Sequence, residues 1–205
     1  MSEFSPDRDN TLEGLHELFS SATHDASAAM CSWTNGLINV ALNDVREIPL
    51  EEVSTELNID DDLLTMVVLT LRGELGGTLI LVFDDVNGRQ LAASLLRREV
   101  AITPDWTELE KSALTETGNI LGCAYINALT RLLGKDVVPS PPYFIQDYGI
   151  SVIEQAIMEQ AQTTNSMLLC DIRFQRRDED LAWRVVFVPT VPMREAMERS
   201  IHATS

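Results

Sequence analysis

The segment LLTMVVLTLRGELGGTLILVFDD alternates little: two runs of apolar and β-branched residues are interrupted by Gly73, Gly76 and Gly77. Such runs, punctuated by turn residues, read as a hairpin in the sheet core. A phosphate-cradling loop would need a Gly-Lys-Ser/Thr and a following helix; this segment leads into a strand instead. Residues Asn87 to Arg98 predict a short helix burying Leu91, Ala92, Leu95 and Leu96. Thr103-Pro104 suits the first turn of a longer helix running to about Leu133, with Thr107-x-x-Glu110 a further capping-box signal. Leu109, Ala113, Ile120, Leu121, Ala124 and Ala128 are expected on its packed side. Val137-Val138 and Tyr143 to Ile145 predict an extended stretch broken by Pro139, Pro141 and Pro142, followed by a helix over Ile150 to Gln160. Two strands, about Ser166 to Phe174 and Trp183 to Val188, flank a charged loop at Arg176 to Asp180, and a last helix begins after Pro192.

The chain repeats itself. Setting Glu17 against Glu116 aligns Leu12–Asn35 with Lys111–Gly134, pairing Leu15 with Leu114, Ala29 with Ala128 and Met30 with Leu129. Each half opens with a long helix ending near a turn signal, Asn35-Gly36 or Gly134-Lys135, and then becomes β-rich. The expectation is one domain over residues 1–205 made of two diverged halves, about 10–100 and 101–205. It is an α/β fold of the α+β type, with pseudo-twofold symmetry and long helices packed on an antiparallel sheet.

Charge narrows the partners. Thirty-two acidic residues against 15 basic give a net charge of −17, which repels nucleic acid and anionic membranes. No run approaches the ~20 apolar residues of a membrane-spanning helix, and MSEFSPDRDN at the N-terminus is polar and acidic. A cytoplasmic protein is expected. Lys111 and Lys135 are the only lysines; so acidic a chain with arginine for its positive charge suggests a salt-loving archaeon. Cys31, Cys123 and Cys170 lack CxxC spacing and read as buried free thiols. His16, His24 and His202 lack ligand spacing with one another, and His16 and His24 read as exposed helix positions, so no metal site is expected.

Ser112, Glu116 and Asn119, four and then three residues apart in SALTETGN, fall on one stripe of the predicted helix, away from its packed side. The wet side of any amphipathic helix presents such residues. This set has further capacity: a carboxylate can pair with a partner's cation, and a carboxamide, donor and acceptor at once, can orient a water molecule.

Ser-x3-Glu-x2-Asn followed by x22-Pro, here Ser112, Glu116, Asn119 and Pro142, resembles the active-site pattern of the CheC/CheX/FliY chemotaxis phosphatases. The GELGGT hairpin, SALTETGNILGCAYINAL and the PPY segment extend the resemblance over nearly the whole chain, most strongly to CheC. It implies hydrolysis of the aspartyl phosphate of a CheY-type response regulator. Asn119 would orient the attacking water and Glu116 would pair with the regulator's active-site lysine. Ser112 and Pro142 would serve docking. The Mg2+ would be the regulator's, so no cofactor of the chain's own is implied. In the first half Glu17 remains, but Ser20 stands where asparagine is expected, Glu13 where serine or aspartate is, and Asn43 at the position of the proline, implying a degenerate second site. The alternative role is a non-catalytic adaptor binding CheD or motility-switch components.

The charge balance carries its own prediction. Self-repulsion grows as the Debye length lengthens from ~3 Å at 1 M salt to ~10 Å at 0.1 M, so the melting temperature should fall as salt is removed. Thermal melts across a salt series check this; a melting temperature independent of salt would refute it.

Overall fold

β-branched runs too short for helices and too apolar for the surface become the middle of a sheet, and amphipathic segments cover it. A computed structural model describes residues 6–57, 63–73, 75–100, 103, 105–148, 151, 166–176 and 179–204. Five α-helices are described: α1 (Pro6–Thr34), α2 (Val53–Leu57), α3 (Asp85–Leu96), α4 (Glu108–Leu133) and α5 (Val191–Thr204). The strands are β1 (Asn39–Pro49), β2 (Leu63–Arg72), β3 (Gly77–Phe83), β4 (Val138–Pro139), β5 (Tyr143–Tyr148), β6 (Ser166–Arg176) and β7 (Glu179–Pro189).

All pairings are antiparallel, in the order β1-β6-β7-β3-β2, with β4 and β5 both on the far side of β2. Exchanging β1, β2 and β3 for β5, β6 and β7 turns this order into its own reverse. The offset that aligns Glu17 with Glu116 also carries Asn39–Pro49 onto residues 138–148, which hold β4 and β5. Each of these edges is irregular at the matching place. The β1–β6 register shifts between Leu42 and Asp44, and residues 140–142 interrupt the opposite edge, where the Ser140 amide still donates to the Thr70 carbonyl at 2.7 Å.

Period-two alternation sorts an almost wholly apolar strand to two sides. Val67, Leu69 and Leu71 join Phe19, Met30, Leu114, Leu121 and Tyr125 in the core beneath the long helices. Leu64, Met66 and Val68 form a second cluster on the opposite face with Ile80, Val82, Val186, Val188 and Val53 of α2. Glycine matters at the hairpin: Gly73 has φ +104°, and a Cβ on Gly76 would lie 2.8 Å from the Leu71 carbonyl oxygen.

Several expectations change. Helix α4 begins at Glu108 with Thr107 as its N-cap, not at Pro104, because the capping box forms in full: Thr107 accepts from the Glu110 amide and Glu110 from the Thr107 amide. Leu109 lies on the outward side, three residues before Ser112, and not on the packed side; it is 58% exposed. The closing strands reach further than expected, with Gln175 opposite Asp180 and Arg176 opposite Glu179, since charged side chains are tolerated where a hairpin leaves the core. Of the cysteines only Cys170 is buried; Cys31 is intermediate and Cys123 exposed. His16 and His24 are exposed, as expected, and so is His202. The helix expected over Ile150 to Gln160 lies outside the described residues apart from Ser151.

The start of α4 depends on a buried charge. Glu110 is 1% exposed and accepts from the Thr107 amide at 2.9 Å, the Thr107 hydroxyl at 2.7 Å and the Arg98 guanidinium at 2.8 Å. Burial opposes its ionisation, but the bonds from Thr107 and Arg98 outweigh it and hold the carboxyl below the usual glutamate range. Its contribution is therefore present above the unfolded-state pKa of ~4.3 and lost as pH falls through the depressed folded value. Glu110→Gln should cost about 1–2 kcal/mol at neutral pH. The deficit should shrink below ~pH 4, as denaturant titrations at pH 7, 5 and 3.5 would show; an equal deficit at all three would exclude the charge as its source.

Candidate functional site

Two glycines one turn apart let α4 lie against β2. A Cβ on Gly118 would come within 2.4 Å of Val67 Cγ1, and one on Gly122 within 2.5 Å of Leu69 Cδ2. Ala113, Leu114, Thr117, Leu121, Ala124, Tyr125, Ala128 and Leu129 complete the buried face. Because 3.6 residues make a turn, fixing that face fixes the opposite one.

On that opposite face Ser112 and Glu116 are exposed and Asn119 is half-buried, so all three share one stripe. Cys123 continues it. Its thiol donates a weak bond to Asn119 Oδ1 at 3.7 Å, biasing the carboxamide to keep its oxygen turned along the helix and its NH2 outward. Among the described residues Glu116 makes no ion pair, so its carboxylate is available to a cation brought from outside. Pro142 is half-buried between β4 and β5, two strands that contact α4.

The stripe is convex. A cavity of about 680 Å³ lies elsewhere, lined by Thr34, Asn35, Gly36, Leu37, Asn39, Arg97 and Gln175, none of them on the stripe. Small-molecule sites are concave; a helix face bearing Glu116 and Asn119 instead suits insertion into a concavity on another macromolecule. Among the described residues no three His, Cys, Asp or Glu side chains group to hold a metal ion.

In the first half, Glu13, Glu17 and Ser20 are exposed along α1 and Asn43 sits at the β1 bulge. His24 stands where Cys123 stands in the second half. Ser20 has no carboxamide, so its side chain offers one hydroxyl where Asn119 offers an oxygen and an NH2. The two long helices meet through buried Tyr125, whose hydroxyl lies 3.0 Å from Thr23 Oγ1 and whose ring centroid lies 5.6 Å from that of Phe19. An Asp25–Arg131 ion pair at 2.7 Å also links them.

No family model matches the chain. Over 193 residues it is 23% identical to the CheY-P phosphatase CheC of Bacillus subtilis, covering 92% of each chain. It is 20% identical over 146 residues to CheC1 of Halobacterium salinarum, covering 71% of this chain and 74% of that one. The chain is thus similar over most of its length to CheC proteins.

The fold agrees. Thermotoga maritima FliY superimposes with a TM-score of 0.73 at 16% identity, covering 100% of both chains. The FliM middle domain from H. pylori gives 0.68 at 11%, covering 96% of this chain and 99% of that one. A Borrelia burgdorferi structure of a CheX-CheY-BeF3-Mg2+ complex gives 0.55 at 18%, covering 85% and 96%. At such identities these structures speak for the fold alone. No helix among the described residues is long and apolar enough to cross a membrane.

Sequence reasoning missed three features of α4: the glycine pair that seats it, the thiol beside Asn119, and the pairing of buried Glu110 with exposed Arg98 at its start. Gly118-x-x-x-Gly122 was visible as small residues at the spacing of one helical face. Nothing in composition marked the other two.

The thiols give a direct test of this geometry. Cys123 should react fast with an aromatic disulfide reagent and Cys31 more slowly. Cys170 should react only on unfolding, because burial first, then Asp171 and Asp44, pushes its thiol up. Peptide mapping after timed labelling would read the order; rapid native labelling of Cys170 would contradict it.

Proposed function

We propose that this chain hydrolyses the aspartyl phosphate of a CheY-type response regulator. The observation that carries the reading is the exposed, unpaired Glu116 one turn from Asn119, on a convex helix face that α4 presents by lying tightly on β2. It is supported by the end-to-end similarity to a CheY-P phosphatase and by a shared fold with a CheX captured on CheY.

The roles follow from chemistry. Phosphoryl transfer depends mainly on alignment and charge stabilisation. Asn119 orients the water in line with the scissile bond, using the carboxamide's donor and acceptor ends together. Glu116 pairs with the regulator's active-site lysine and so registers the two proteins. Ser112 and Pro142 border that contact. The regulator brings the Mg2+ that neutralises the phosphoryl oxygens, and this chain supplies no metal ligand. The α1 stripe keeps Glu17 but has Ser20 in place of the water-orienting group, so hydrolysis belongs to the second half. A phosphatase of this kind works in the cytoplasm, beside its regulator.

A second reading has one observation in its favour. The FliM middle domain shares the fold more closely than the CheX structure does, which suits a non-catalytic adaptor that binds CheD or motility-switch components.

Phosphate release from phosphorylated regulator separates the two. Asn119→Ala should slow turnover about a hundredfold while the protein stays folded, the scale of losing one preorganised group. Glu116→Lys should impair docking more than Glu116→Gln, by replacing attraction with repulsion. Glu17→Ala and Ser20→Ala should change turnover far less. Wild-type turnover in folded Asn119→Ala would discard the catalytic role and favour the adaptor.

A further inference from the structure

Leu109 stands one turn before Ser112 and two turns before Glu116 on the same face of α4, and it is 58% exposed. Single apolar side chains on a surface are ordinary; what distinguishes this one is its address. Seven residues of helix put it ~10.5 Å along the axis from Glu116, facing the same way. Its two neighbours differ sharply in environment: Glu108 is almost fully exposed and pairs with Lys111 at 2.8 Å, while Glu110 is buried.

That burial fixes the backbone that carries Leu109. Helix termini fray by default, but here the Thr107–Glu110 capping box and the Arg98–Glu110 pair fasten the first turn on both sides of residue 109. An apolar side chain carried on a backbone that is already ordered costs less entropy to cover than one on a fraying helix end, which favours it as an interface anchor.

We propose that Leu109 is the apolar anchor of the docking surface on α4, seated on an apolar patch of the response regulator's receiver domain. The proposal rests on the phosphatase reading above. It commits the partner to a stated shape: an apolar patch about two helical turns from the cation that Glu116 engages. Leu109 touches no reacting group, so it contributes to recognition and not to the chemical step. Its loss changes association and leaves the rate of the bound complex alone.

The experiment measures affinity for a CheY-type regulator loaded with beryllofluoride and Mg2+, together with KM and kcat on the phosphorylated regulator and the melting temperature. Leu109→Ala should raise Kd and KM about tenfold, the size of one modest interface anchor. Leu109→Asp should raise them further, and Leu109→Met should restore near wild-type values. The kcat should stay within about twofold and the melting temperature unchanged, since an exposed side chain contributes little to folding. Wild-type Kd and KM in folded Leu109→Asp, alongside weakened binding by Glu116→Lys, would overturn the anchor and leave the phosphatase reading standing. A fall in kcat or melting temperature without a change in Kd would also overturn it. If Glu116→Lys and Asn119→Ala bind and turn over as wild type, the phosphatase reading fails and the anchor fails with it.

Discussion

The contact on which the rest depends is backbone against side chain: α4 lying on β2 with no Cβ between them at Gly118 and Gly122. A packed interior has little room to yield, so an added methyl at either position must lift or roll the helix against Val67 or Leu69. Rolling by a few tens of degrees would carry Glu116 and Asn119 off the crest of their stripe. The glycines therefore do two things at once. They remove helix propensity, ~1 kcal/mol each relative to alanine, and they fix the direction in which the polar face points. The sheet beneath is itself held from both sides, by the long helices over one face and by a second apolar cluster on the other.

How much of this was legible depended on what each signal measures. Apolar runs with turn residues located the hairpin over β2 and β3, and the polar spacing of Ser112, Glu116 and Asn119 located the stripe, because both are local properties of a short segment. The N-cap at Thr107 was visible too, but Pro104 competed with it, and the complete capping box, reinforced by Arg98 from outside the helix, makes the later start the better one. Leu109 was misplaced because its face was assigned by apolar character, whereas the sheet assigns faces by where it can approach, and Leu109 shares the outward side with Ser112 and Glu116. Cys123 and Cys31 were read as buried from residue type alone, which says nothing of which face each occupies.

The two edges of the sheet show a repeat that has kept its backbone plan while changing its surface. β1 and the β4–β5 edge break at corresponding positions, one through a bulge at Asn43 and the other through the proline-rich residues 139–142. A bulge and a proline achieve the same end by different means, because each removes ladder pairing locally and stops an edge from recruiting another strand. The long helices, by contrast, differ in what they display: Glu17 matches Glu116, while Ser20 and His24 face outward where the second helix has Asn119 and Cys123. Buried Tyr125, bonded to Thr23 and packed on Phe19, ties the two displays into one rigid unit.

The convexity of the α4 stripe has a consequence for selectivity. Side chains on the crest of a helix are wet on every open side, and water weakens whatever they could do to a charged group. They gain strength only when a fitted surface drives that water away. On the proposed reading the molecule carries half of a reaction vessel, and a small phosphorylated compound, unable to close the vessel, would meet only solvated amino acids. Discrimination between one partner protein and another can then be altered by redrawing the rim around the crest, leaving the two residues at its centre untouched.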